Sequence, residues 1–195
     1  MKYLMARTYT QKRRAEQQAD TRRRIVEAAV DLHTRLGPGR TPLSLVAEQA
    51  GVQRHTLYAH FPDEKALLMA CSGHVAERDP PPDAQAWRAI ADPAARLQTG
   101  LGAIYDWFER NEQVTASVLR DADYHPIVRE VQTLRTAPAF AAFHDVLGAG
   151  LASEQRAMLA LALSFHTWRS LRRDGGLSQA AATMAMTQAI TNAGR

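Results

Sequence analysis

Cysteine is almost missing from this chain: Cys71 stands alone among 195 residues. No intrachain disulfide can form, which excludes the cross-linked scaffolds of small secreted proteins and makes a reducing cytoplasm the expected compartment. Long apolar runs are missing too. Nothing near the N-terminus forms the apolar core of a secretory leader, and no stretch is long enough to span a bilayer, so no membrane partner is expected. Strand-like alternation, internal repeats and low-complexity tracts are absent. So are Gly-x-Ser-x-Gly, phosphate-cradling glycine loops and His-Glu-x-x-His, and the 7 histidines lack metal-ligand spacing. No catalytic centre, metal or cofactor is therefore expected.

What is present is material for a packed core. Hydrophobic residues make up 46% of the chain, and charged residues of both signs 23%, a balance that argues against wholesale disorder. The net charge of +4 is unevenly spread. Residues 1–60 carry eleven Lys and Arg against five Asp and Glu, while the remainder carries thirteen against fifteen. Such asymmetry suits one end of the molecule to meet an anion; a solvated basic tail is the plainer alternative.

Periodicity predicts helices throughout. Residues 1–19 are polar and basic, with Lys12, Arg13 and Arg14 clustered, and read as a mobile arm leading into the first helix. From Asp20, a stripe of Ile25, Ala28, Ala29, Leu32 and Leu36 marks one buried helix face. Gly37-Pro38-Gly39 stops that helix. Thr41-Pro42 reads as a cap and first-turn proline for the next, which carries Val46, Ala47 and Ala50 and ends at Gly51. A second short helix follows through Arg54 to Phe61, then a connecting helix over residues 63–78.

Asp79-Pro80-Pro81-Pro82-Asp83 is the clearest linker, because three prolines cannot lie in a helix interior. Beyond it, Asp92-Pro93 caps a helix bearing Leu97, Leu101, Ile104, Tyr105 and Phe108. Shorter helices are expected over residues 112–121 and from His125-Pro126, with Pro138 kinking or restarting the latter. Two last helices, residues 153–173 and 178–192, complete the chain. The fold class is all-α: an N-terminal three-helix domain with a helix-turn-helix over residues 20–62, and a C-terminal helical domain over 79–195.

A short helix, a glycine turn and a second short helix form the layout of a DNA-reading helix-turn-helix. Spacing alone is a weak signal. The run Ala50-Gly51-Val52, then Thr56-Leu57-Tyr58-Ala59-His60-Phe61, with Leu67 one helix further on, resembles the TetR family of regulators over residues 22–70. The resemblance implies roles. Thr56, Tyr58 and His60 match positions that hold DNA phosphates, and each can donate to a phosphate oxygen; a packing role is the alternative for Tyr58. Arg54 and His55 sit at the exposed start of the recognition helix, where Arg54 can donate bidentately to guanine. Gln53 stands where a capping serine is common and can reach a base or the backbone instead. Thr41 is a further candidate DNA contact. The family's lysine at the position of Glu64 arrives one residue late, as Lys65, rotated by about 100°. Arg22, Arg23 and Arg24 read either as phosphate clamps or as a solvated face. Lys12 to Arg14 read as a minor-groove arm or a plain tail.

For the C-terminal region the resemblance implies a small-molecule pocket and a dimer. Tyr105, Trp107, Phe108, Tyr124, Phe165 and Trp168 offer aromatic surface for a pocket, and Arg120, Asp121, His125 and His166 offer polar groups; core packing is the alternative. The last two helices, apolar or rich in small residues, are expected to pair with a second copy, matching a palindromic operator on double-stranded DNA. The function so implied is a ligand-responsive DNA-binding regulator, a repressor released by its effector; an activator is the alternative. Competing readings are a helical small-molecule binder with incidental DNA affinity, and an enzyme using Cys71 or Tyr124. Cys71 and His74, three apart on one helix, also raise a thiol sensor.

Overall fold

Between residue 2 and the Gly37-Pro38-Gly39 stop there is no glycine or proline, and Ala, Arg, Glu and Gln recur. Such residues lose little on becoming helical. In the computed structural model this stretch is one helix, α1 (Lys2–Arg35). The segment expected as a mobile arm is therefore helical, since nothing in it breaks a helix. The structure describes the backbone of residues 2–194 and the side chains of residues 11–194.

Nine further α-helices follow among the described residues: α2 (Leu43–Gln49), α3 (Arg54–His60), α4 (Glu64–Arg78), α5 (Pro93–Arg110), α6 (Glu112–Ala122), α7 (Pro126–Leu147), α8 (Ser153–Ala162), α9 (Phe165–Arg169) and α10 (Gln179–Asn192). The described residues contain no strand. The all-α architecture follows the sequence pattern, and several boundaries have a visible cause. The Asp92 carboxylate accepts from the amides of Ala94 and Ala95 at 3.4 and 3.0 Å, with Pro93 in the first turn. The Ser178 hydroxyl accepts from Ala181 at 3.2 Å to start α10.

The chain divides into two compact units. The first comprises the residues up to Arg78 together with Ala116–Gln132, and the second comprises Asp79–Thr115 with Thr133–Arg195. This departs from a C-terminal domain running without interruption over 79–195. In the first unit, Ile25, Ala29 and Leu32 of α1 pack with Val46 and Ala47 of α2, Leu57 of α3 and Leu67 of α4. Leu36, counted in the α1 stripe, is 38% exposed. A second apolar cluster joins Leu68 of α4 to Ala122, Val128 and Val131. That cluster is the physical reason why residues 116–132 belong with the N-terminal helices.

In the second unit α5 packs on α10 and α10 on α8. Gly100 is required there by close approach: a Cβ on it would lie 2.6 Å from a Leu147 methyl. Two helices differ from expectation. The predicted helix over 153–173 breaks at Ser164, whose backbone is extended (φ −75°, ψ 130°). A straight helix apolar around its circumference cannot turn every flank to one core, and the break brings both Phe165 and Trp168 inward, leaving them 4% and 0% exposed. Conversely, α7 runs unbroken through Pro138. Proline deprives the Leu134 carbonyl of its helical donor, but both residues lie on an exposed stretch where water can replace it.

Candidate nucleic-acid interface

The helix-turn-helix consists of α2, the Gly51 turn and α3. Gly51 has φ +64°, the left-handed backbone that a side chain resists. The Val52 amide donates to the Ala47 carbonyl across the turn at 2.9 Å. Leu57 and Phe61 are 0% and 1% exposed, so they anchor α3 and fix which side faces outward. That outward side carries Gln53, Arg54, His55 and Tyr58, all exposed, with Thr56 and His60 half-buried beside them. Gln53 makes no side-chain cap to α3, as its chemistry predicts, and is free to turn outward. The Thr56 hydroxyl lies 3.3 Å from the His55 ring nitrogen. A shallow groove between α2 and α3, lined by Pro42, Ser44, Glu48, Gln53 and Arg54, continues this surface.

Two of the expected DNA contacts are already engaged. Thr41 is buried, and its hydroxyl donates to the Gly37 carbonyl at 2.7 Å. It locks the turn before α2 and has no free donor for a phosphate; the cap position of α2 is Pro42, one residue later than expected. The Lys65 ammonium is held by Glu130 at 2.6 Å.

The arginines of α1 carry roles that sequence reasoning missed. The Arg24 guanidinium donates to the Ala50 carbonyl at 2.5 Å and to Gly51 at 3.4 Å. It thereby caps the negative end of α2 and braces the turn. Arg22 lies 4.7 Å over the ring of Phe61, at the far end of α3. Arg23 bridges Asp20 and Glu27 along its own helix. A positive residue opposite a helix C-terminus 26 positions away has no local signature.

Arg120, Tyr124 and His125, expected at a pocket, belong to the first unit. Asp121 is fully buried and accepts from the Gly39 amide at 2.9 Å, Arg120 at 2.8 Å and the Tyr124 hydroxyl at 2.6 Å. Burial pushes the Asp121 carboxyl up, but these three donors outweigh it and hold it below its ordinary value. Arg120 also donates to the Leu36 carbonyl, and Ser117 to that of Thr34. The group clamps α6 to the end of α1. Gly37 has φ +96°, and a Cβ there would collide with Arg120 and Asp121. His33 is buried near Asp121, and desolvation lowers it to about 4. His125 lies 3.3 Å from Glu64.

The other five aromatic residues expected at the pocket, Tyr105, Trp107, Phe108, Phe165 and Trp168, belong to the second unit and pack on one another. Phe108 meets Phe165 edge-on at 5.5 Å between centroids, Trp168 at 5.8 Å and Trp107 at 5.6 Å. The Tyr105 hydroxyl donates to the Ala162 carbonyl, Trp107 to that of Asp79, and Trp168 to the Gln179 side chain. These rings form a close-packed core whose polar tips are partnered, and His166 stands exposed at its edge.

Cys71 sits in the core of the first unit, and burial pushes its thiol up to about 12. Almost no thiolate exists at neutral pH, which removes the chemistry a thiol sensor or nucleophile needs. Among the described residues no three His, Cys, Asp or Glu are grouped to hold a metal, and no helix is long and apolar enough to cross a membrane.

Comparison with known proteins agrees with this geometry. Residues 25–71 match the family described as bacterial regulatory proteins, tetR family. Over 106 residues the chain is 30% identical to the HTH-type transcriptional repressor KstR of Mycolicibacterium smegmatis, a match covering 54% of this chain and 52% of that protein. The chain thus spans about half the length of that relative. Its fold is similar to that of the fatty acid degradation regulator FadR from Bacillus halodurans, with a TM-score of 0.61 at 15% identity over 90% of this chain and 96% of that one. It is also similar to Salmonella enterica GusR, with a TM-score of 0.60 at 20% identity over 88% and 95%. The matched segment coincides with the Gly51 turn, the anchored α3 and the α1 face that carries them, so residues 25–71 are similar to the DNA-binding region of the tetR family of bacterial regulatory proteins.

Proposed function

We propose that this protein is a transcriptional repressor that binds operator DNA as a homodimer and is released by a small molecule. The observation carrying this reading is the anchored recognition helix: Leu57 and Phe61 are shut in the core, while Gln53, Arg54, His55 and Tyr58 are held outward together. Arg54 and His55, at the front of α3, read base edges; Tyr58, Thr56 and His60 hold phosphates and set the register. Lys65 adds a phosphate contact only if its pairing with Glu130 is given up.

Dimerisation through α8 and α10 is supported by their exposed apolar residues, Leu161 and Met184, each 51% exposed beside exposed alanines. An isologous pairing there fits a palindromic site. The effector belongs to the second unit, where Phe108, Phe165, Trp168 and the half-buried Trp107 offer aromatic surface to an apolar molecule that parts them. Release then needs only a difference in effector affinity between the DNA-bound and free forms. The proposed site of action is the cytoplasm.

The test is fluorescence anisotropy of the purified protein on DNA from upstream of its own gene, beside a scrambled duplex of equal length. Preference for the native fragment, relaxed by Arg54→Ala and lost evenly across sequences in Tyr58→Phe, is expected. Equal, weak binding to both duplexes, and no enriched sequence from random DNA, would overturn the reading. Light scattering that gives a monomer at micromolar concentration would remove the dimer.

A further inference from the structure

The positive charge of the first unit is not on its reading head. Residues 2–24 carry eight Lys and Arg against two acidic residues. The rest of that unit, residues 25–78 with 116–132, carries seven against nine. The helix-turn-helix and its supports are thus slightly acidic, and a duplex would approach them without net attraction. The net positive surplus of the unit lies in the amino-terminal two-thirds of α1.

The first unit also gives that segment its direction. Arg22 and Arg24 touch the two ends of the reading motif, Phe61 after α3 and Ala50 before it. The helix therefore leaves the packed core at a level close to both ends of the reading motif. Residues 11–20 are all exposed, so they project beyond the packed domain. Arg14 precedes the fully buried Ile25 by eleven residues, just over three whole turns, so the two lie on the same face of α1. That is the face turned toward α2 and α3. Arg14 stands on that face, while Arg13 and Lys12 follow at about 100° steps around the helix, with one weak, exposed pairing, Lys12 to Glu16 at 4.0 Å. Residues 11–24 span about 20 Å of helix, somewhat over half a turn of duplex.

We infer that the amino-terminal part of α1 is a second DNA-binding element: a rigid basic helix that lies along the sugar-phosphate backbone beside the half-site and supplies most of the sequence-independent affinity. This rests on the proposed DNA-binding function. It assigns the two tasks to separate places, with base reading on α3 and phosphate neutralisation on α1. Lys12, Arg13 and Arg14 donate to phosphate oxygens, and Arg22 and Arg24 hold the helix at the correct angle to α3.

The experiment uses the full chain and a random-sequence duplex of about 30 base pairs, titrated between about 50 and 200 mM salt. It compares wild type with the triple variant Lys12→Gln, Arg13→Gln, Arg14→Gln. Glutamine keeps helix propensity at these exposed positions, and circular dichroism checks the fold. A control variant, Arg88→Gln, Arg110→Gln, Arg169→Gln, removes the same charge from the second unit. Counterion release makes the slope of log affinity against log salt shallower by about 0.9 for each lost phosphate contact. The α1 triple variant is expected to flatten the slope by about 2 to 3 and weaken binding at least tenfold at low salt, while the control keeps the wild-type slope. Equal slopes in all three proteins, or equal flattening in both variants, would overturn the inference and leave the recognition-helix reading intact. Absence of duplex binding by wild type at any salt would overturn both.

Discussion

The two units hold themselves together by different means. The first is organised around charge: a buried Asp121 with three donors, a neutral buried His33 beside it, and Arg24 capping α2. The second is organised around volume: Phe108 with Phe165 and Trp168, Trp87 on Phe143, and a glycine at position 100 where a methyl would not fit. Its ion pairs, such as Arg110 with Asp79 and Arg172 with Glu109, lie at the surface or its margin. Stability is therefore titratable in the first unit and governed by packing in the second. All three tryptophans, Trp87, Trp107 and Trp168, fall in the second unit, so their fluorescence observes it separately from the first.

A cavity opened in the second unit should have the largest effect. Phe108→Ala removes the ring at the centre of the aromatic cluster and should cost about 3–5 kcal/mol. Urea unfolding followed by tryptophan fluorescence should move strongly, with a smaller shift by circular dichroism in the first unit; equal shifts would mean one cooperative block. Next comes Asp121→Ala, which leaves Arg120, Tyr124 and the Gly39 amide without their acceptor and should cost roughly 3 kcal/mol. Here circular dichroism should move ahead of the tryptophan signal, and Asp121→Asn should recover part of the loss.

Acid should separate the units without mutation. His33 has a native pKa of about 4, below its ordinary 6.5, so the native state binds fewer protons than the unfolded chain. Its contribution is complete above about pH 6.5 and is lost as pH falls toward 4, on the order of 2–3 kcal/mol. Asp121, also held below its ordinary value, adds a loss of the same sign at lower pH. Thermal melts at falling pH should show the first unit weakening while the tryptophan transition holds, and His33→Leu should abolish most of the effect above pH 4. The smallest change is expected of Arg110→Ala, at most about 1 kcal/mol by urea denaturation, because its pair with Asp79 is partly solvated.

Local chemistry was legible where it acts over a few residues. Gly37-Pro38-Gly39, Asp92-Pro93 and Ser178 announced their helix boundaries, and the spacing of Val46, Ala50, Gly51, Leu57 and Phe61 announced the reading motif. What escaped were interactions between distant positions. Thr41 looks like a helix cap until the Gly37 carbonyl is seen to take its hydroxyl. Arg24 looks like a phosphate clamp until Ala50 is found beside it. Arg120 and Tyr124 have the residue types of a polar pocket but are drawn to Asp121, and the stripe over 153–173 could not reveal the break at Ser164. Periodicity says which face is apolar; it does not say whether one core covers all of that face.

The burial of Cys71 gives the first unit a clock. The lone thiol of the chain can meet an alkylating reagent only when the helices around it part, since in the closed state it is 4% exposed and almost wholly protonated. The rate at which it is modified is therefore the rate, or the equilibrium frequency, of opening beneath the recognition helix. A duplex clamped across α1 and α3 would slow that clock, while the tryptophans of the second unit kept their own time.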